Sequence, residues 1–274
     1  MINLFKQNLH VHSTFCDGKN TPEEIVNIAL DKGFESIGFS SHSTTAGMLQ
    51  RGETPYDLHA YKKEIARLKE KYQNKITLFC GLEVDDSYDS DVSGFDYLIG
   101  SVHYLPFEDK YEGFDLKTPE MVKDLIDRRF NGDGLEFAKA FYHRLALLPK
   151  YANFDVVAHF DIITKHIEKL PFVDVESKNY LNYAFEAIEA LKGKIPLFEV
   201  NTGGIPRGYR TTPYPSLSIV KELRRQGFGA IITTDCHNAD YLDFGYELGV
   251  NLLKEAGFKE RFILTDKGFE PISL

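Results

Sequence analysis

A chain of 274 residues, 43% hydrophobic and 27% charged, has the length and make-up of a globular protein with one large core, and no window of about 20 apolar residues that would cross a bilayer as a helix. A net charge of -9 without a Lys/Arg-rich run gives no footprint for a nucleic-acid backbone. The three cysteines, Cys16, Cys80 and Cys236, have no CxxC spacing, which argues against a disulfide framework and a thiolate zinc site. The stretch Met1 to Asn8 has no basic start followed by an apolar run, so a cytoplasmic setting is expected.

Short β-rich runs alternate with longer amphipathic stretches, the pattern of βα units around a parallel sheet. The first strand is predicted over 8–12. Thr21-Pro22-Glu23-Glu24 then supplies a helix cap, a proline at the first helical position and a glutamate able to reach back to the cap, and Gly33 is the expected stop. Strands follow over 36–42, 76–84 and 97–104. Residues 106–153 exceed what one crossover requires and are read as a helical insertion, with a start at Thr118-Pro119-Glu120 and a break at Gly132-Asp133-Gly134. Beyond it come a strand over 156–160, a helix over 180–192 stopped by Gly193, and a strand over 197–202. A helix over 218–226 stopped by Gly227 and a strand over 230–237 complete the series. Seven such units predict a single α/β barrel domain over 1–274 with parallel strands.

The polar residues of interest fall at the C-terminal ends of these strands, which meet on one face of a βα barrel. They are His10 and His12, Asp17 just beyond them, His42, Glu83, His103, His159, and Asp235 with His237. His10 and His12 are two apart on a strand, so both rings share a face, and Asp235 with His237 repeats that geometry. The intervening Val11 and Cys236 are expected to point into the strand–helix packing. Any one of these histidines, taken alone, reads as an ordinary hydrogen-bonded residue. Six histidines and three carboxylates together would be a costly set of desolvated polar groups unless shared cations satisfied them. Mixed imidazole and carboxylate donors suit zinc, iron or manganese. His59 and His143 lie in predicted helices away from the strand ends and read as surface or packing residues; His166 reads as a loop hydrogen bonder and Cys16 as a bystander to Asp17.

The runs His10-Val11-His12-Ser13, Asp17-Gly18, Ser41-His42, Gly81-Leu82-Glu83, Gly100-Ser101-Val102-His103-Tyr104, Ala158-His159-Phe160-Asp161 and Asp235-Cys236-His237 resemble the polymerase and histidinol phosphatase (PHP) superfamily. Within it, residues 99–105, Glu199-Val200-Asn201-Thr202 and Pro213-Tyr214-Pro215 look like the histidinol-phosphate phosphatase branch. The resemblance implies a distorted (β/α)7 barrel holding two or three divalent transition metals. Carried over, His10, His12, Glu83 and Asp235 would hold the first, a bridging Glu83 with His103 and His159 the second, and Asp17, His42 and His237 the third. It also implies hydrolysis of L-histidinol phosphate to L-histidinol and phosphate by a hydroxide bridging two metals. Glu83 and His237 then act as catalytic ligands, and Asp161 or a water donates a proton to the leaving group. Arg207 and Lys165 are nominated to bind the phosphate, Arg207 touching only the anion.

Other readings remain at this point. A barrel of the same kind could hydrolyse phosphotyrosine or a nucleotide, with discrimination lying in 106–153 and the loop after Asn201. An amidohydrolase also begins with a His-x-His strand but would be expected to carry a lysine where His103 stands. A non-catalytic module serving a polymerase fits less well, because the barrel takes up the whole length given. The partner expected is a small phosphorylated molecule, not nucleic acid or a membrane.

Overall fold

A computed structural model of the chain describes residues 6–88 and 91–274; residues 1–5, part of the stretch read for a leader, lie outside the described residues. The barrel strands are, in order, Gln7–Asn8, Ser36–His42, Thr77–Asp85, Tyr97–Ser101, Val156–Val157, Leu197–Asn201 and Gly229–Thr233. They hydrogen-bond in chain order, each parallel to the next. Closure comes from an isolated parallel bridge between Val11 and Cys236: the His12 N–H donates to the Cys236 carbonyl (2.9 Å) and the Cys236 N–H to that of His10 (3.0 Å). The result is a distorted (β/α)7 barrel.

Helices pack around it. The first, Pro22–Asp31, begins with the expected capping box on Thr21, and the three predicted glycine stops, Gly33, Gly193 and Gly227, sit at φ 72°, 70° and 90°, where a Cβ is strained. Val11 and Cys236 point outward, as read from the sequence, and are buried with Ile25, Val26, Tyr61 and Leu68. Inside the barrel, Leu9, Phe79, Tyr97, Ile99, Val156 and Ile231 form a separate apolar layer. Its lower end is covered by an antiparallel hairpin, Glu260–Thr265 with Gly268–Ser273, whose Leu264 joins that layer and exchanges two hydrogen bonds with the Gln7 side chain (2.7 and 2.8 Å). With the bottom sealed by apolar side chains, polar groups can gather only at the top.

Four predicted strands were too long at that polar end. The runs 8–12, 156–160 and 230–237 keep only one, two and four of their residues as strand, ending at Asn8, Val157 and Thr233, and 97–104 stops at Ser101. The reason is local: side chains take over donors that a ladder carbonyl would have accepted. The His10 N–H goes to Asn8 Oδ1 (3.1 Å), that of Val11 to Ser40 Oγ (2.9 Å), that of His159 to Glu199 Oε1 (2.6 Å) and that of His103 to Asp85 Oδ2 (2.7 Å). Asp235 departs further, at φ 46° in the left-handed region, a strain that clusters at functional sites. Beyond His103 the chain turns into a small hairpin, Tyr104–Pro106 with Tyr111–Gly113, and then the helices Pro119–Phe130 and Gly134–Leu145, packed through Phe114, Phe137 and Phe141. Among the described residues no helix is long and apolar enough to cross a membrane.

Candidate metal centre

Glu83, two residues before the end of the third strand and beside His42 in register, is the centre of the polar face. Five imidazoles surround its carboxylate. Oε2 lies 2.9 Å from His42 Nδ1, 3.3 Å from His10 Nε2 and 3.5 Å from His12 Nε2; Oε1 lies 3.1 Å from His159 Nε2 and 3.6 Å from His103 Nε2. Asp235 Oδ1 approaches His12 Nε2 (3.2 Å) and His10 Nε2 (3.6 Å). Asp17 Oδ1 approaches His237 Nε2 (3.3 Å) and His42 Nε2 (3.5 Å). The Asp17 turn fits only because Gly18 follows: a Cβ there would sit 2.5 Å from the backbone of His12.

Three groups of side chains bring donor atoms within 4.8 Å of one another: His10, His12 and Glu83; Glu83, His103 and His159; and His12, Asp17, His42 and His237. Their exposure is graded. His10, His12 and Glu83 are at most 1% exposed, whereas the side chains of His42, His237 and Asp17 are 24%, 22% and 54% exposed, so the third group faces the mouth.

Electrostatics show what this arrangement lacks. Burial opposes ionisation of Glu83, yet the charges of His10, His42 and His103 hold its carboxyl well below the usual range. Burial likewise opposes protonation of His10, but Glu199, Glu83 and Asp235 drive it well above the ordinary value. His12 goes the other way, down to about 3, through burial and the neighbouring His237 and His42. The carboxylates therefore call for positive charge among them. His10 Nε2, His12 Nε2 and Glu83 Oε2 are buried without a hydrogen bond. Such atoms are costly to bury unpaired, and they are the donors a divalent cation takes. The residues present fit a cluster of such ions.

All nine residues expected as ligands are brought together. The nominated phosphate binders stand beside them but already have partners. Arg207, 28% exposed, donates through Nε to the Gly203 carbonyl (2.8 Å) and through Nη2 to Asp235 Oδ2 (2.8 Å), so it does not touch an anion only. Lys165 Nζ donates to Asp115 Oδ1 (2.6 Å) and lies 4.2 Å from the centre of the Tyr209 ring. Asp161 is not turned into the cluster. Its Oδ2 accepts the Ser216 N–H (2.9 Å) and its Oδ1 lies 3.8 Å from Arg210 Nη1. His59 and His143 are exposed on helices, and His166 Nε2 meets the Leu116 carbonyl at 3.0 Å. Cys16 Sγ lies 3.3 Å from His12 Nδ1.

Two carboxylates had no role assigned from the sequence. Glu199, fully buried in the sixth strand, lies 2.8 Å from His10 Nδ1, and Asp85 Oδ2 lies 3.3 Å from His103 Nδ1. Their signal was available, since each is an acidic residue on a barrel strand, Asp85 two residues beyond Glu83 and Glu199 two before the end of the sixth, but only packing shows that they approach the rear nitrogen of an imidazole.

Comparison with known proteins follows the same line. The family model of the PHP domain matches residues 8–203. The histidinol-phosphatase of Bacillus subtilis is 25% identical over 267 residues, covering 88% of this chain and 97% of that protein. That of Lactococcus lactis is 25% identical over 268 residues, covering 93% of both. In fold, the chain is similar to the crystal structure of the Lactococcus lactis histidinol phosphate phosphatase complexed with zinc, L-histidinol and phosphate. The TM-score is 0.68 at 22% identity, over 97% of this chain and 98% of that one.

Proposed function

Because this chain belongs to the PHP domain family, we propose that it is a metal-dependent phosphomonoesterase that hydrolyses L-histidinol phosphate to L-histidinol and inorganic phosphate. One observation carries the reading: three donor groups from six strands share or adjoin a single buried carboxylate, Glu83. Relatives named histidinol-phosphatase, matched over nearly their whole length, support this choice of substrate.

His10, His12, Glu83 and Asp235 would hold the innermost ion, Glu83 with His103 and His159 the second, and Asp17, His42 and His237 the third, at the mouth. Bound there, zinc, iron or manganese ions supply Lewis acidity and lower the pKa of water so that it can attack phosphorus at neutral pH. Glu83 would be shared by the first two positions, since its two oxygens face different imidazoles. Arg207 offers its remaining N–H groups to the phosphate oxygens while anchoring Asp235, and Lys165, beside Asp115 and Tyr209, adds charge from the same side. The leaving alcohol departs past His237 and Asp17, where the site is open. Asp161 acts as a positioning group, tying Ser216 and Arg210 to the loop after His159.

The test is phosphate release from a panel of histidinol phosphate, phosphotyrosine and a nucleoside monophosphate, before and after chelation and metal restoration. Histidinol phosphate should give the highest kcat/KM, lost on chelation and regained with metal. Equal or better turnover of another member would replace the substrate; release that survives complete metal removal would reject the mechanism.

A further inference from the structure

We propose that Glu199 is a positioning residue for the innermost ion: it accepts the proton-bearing Nδ1 of His10 and so leaves Nε2 as the atom offered to the metal. This rests on the reading of His10 as a metal ligand. Glu199 and Glu83 are the same residue type, each two residues before the end of its barrel strand and both buried, yet their surroundings differ in kind. Glu199 Oε2 takes His10 Nδ1 (2.8 Å) and the Thr233 hydroxyl (2.8 Å); Oε1 takes the His159 backbone N–H (2.6 Å) and the Asn201 side-chain amide (2.8 Å). An ionised carboxylate has about four acceptor sites, so none is left for an ion. Glu83 Oε2, by contrast, is buried without a hydrogen bond.

The direction of each bond follows from its partners. The His159 N–H and the Thr233 hydroxyl donate. Asn201 must point its NH2 at Glu199, because its Oδ1 accepts the Gly203 N–H (2.9 Å). A carboxylate satisfied by donors can only accept, so the His10 proton sits on Nδ1. An imidazole that binds an ion is neutral and carries one ring proton, so Nε2, 3.3 Å from Glu83 Oε2 and 3.6 Å from Asp235 Oδ1, is the nitrogen that would offer its lone pair. Carboxylate, histidine and metal then form a chain in which the rear group fixes tautomer and ring orientation. The motif Glu199-Val200-Asn201-Thr202, without a role in the ligand set, acquires one: it is the rear wall of the site, drawing the first, fifth and seventh strands onto the sixth.

Glu199→Gln tests this with zinc itself as probe. The new amide must turn its NH2 toward either pair of donors. Facing His10, it makes Nδ1 the acceptor and moves the proton to Nε2; facing His159, it pushes that N–H away. Zinc competition against a chromophoric chelator should show the tightest site weakened by about 10- to 100-fold. Long-range proton–nitrogen spectra of zinc-loaded protein labelled at histidine should lose the wild-type His10 Nδ1–H signal. Thr233→Val removes one donor from the same carboxylate without touching His10 and should keep zinc affinity near wild type. A purely structural role predicts equal losses in both variants.

A folded Glu199→Gln protein with wild-type zinc affinity and an unchanged His10 signal would overturn the inference. If that variant does not fold, the spectrum of unmodified zinc-loaded protein decides: a proton on His10 Nδ1 supports the assignment, and one on Nε2 overturns it. Neither readout needs a substrate, so a failure to hydrolyse histidinol phosphate leaves the inference standing. Wild-type protein that binds no zinc would instead overturn the metal site and this inference together.

Discussion

Replacing Glu83 by Gln keeps the side chain's size and removes the negative charge at the centre of five imidazoles. Oε2 stands 2.9–3.5 Å from three of them and Oε1 3.1–3.6 Å from the other two, so the NH2 group must face two or three ring nitrogens whichever way the amide turns. One anionic oxygen shared by two ion positions disappears, and the spacing of those positions is no longer fixed. Ligands of this kind support several kcal/mol of transition-state charge stabilisation. A loss of ~4 kcal/mol corresponds to about a thousandfold in kcat at 1.36 kcal/mol per decade. The assay is steady-state phosphate release with metal content measured on the same samples, and His59→Ala, exposed on the helix Leu58–Tyr72, is the control. Circular dichroism should show little change, because Glu83 packs against the site and not the apolar layer below. Near-normal turnover and full metal content in Glu83→Gln, with losses in His59→Ala instead, would refute the placement of the site.

Arg207→Ala should raise KM and weaken inhibition by inorganic phosphate; because Arg207 also holds Asp235, zinc affinity should fall modestly, and kinetics and metal content both unchanged would return Arg207 to an ordinary loop role. Asp161→Asn should leave the pH profile of kcat in place, since its carboxylate is turned to Ser216 and Arg210; loss of one limb of that profile would make Asp161 the proton donor after all. Thr21→Ala should cost about 1 kcal/mol by removing the capping box of the first helix, read as a lower urea midpoint with an unchanged slope.

The sequence made the fold legible because each βα unit carries its own punctuation: Thr21 and Thr118 as caps, Gly33, Gly193 and Gly227 as stops, and apolar runs such as Ala230-Ile231-Ile232 for strands buried on both faces. Strand ends were misjudged where side chains replace the ladder, as when Asn8, Ser40, Asp85 and Glu199 capture backbone N–H groups; nothing in a period-two pattern reveals such a substitution. The nine clustered residues were readable because strand ends converge, whichever helices intervene. Glu199 and Asp85 were passed over because they act through imidazole rings. The carboxylate partners of Arg207 and Lys165 lie 28 and 50 residues away in sequence, too far for spacing to suggest them.

In the proposed function, two or three ions gathered by these nine residues carry out the hydrolysis of histidinol phosphate. Titrating zinc into metal-free protein while recording both bound metal and phosphate release tests it most directly. Release should be negligible below one equivalent and rise only as a second and third ion bind, with saturation at two or three per chain. Full activity with one ion or none, or no hydrolysis of histidinol phosphate by protein carrying two or three, would contradict it.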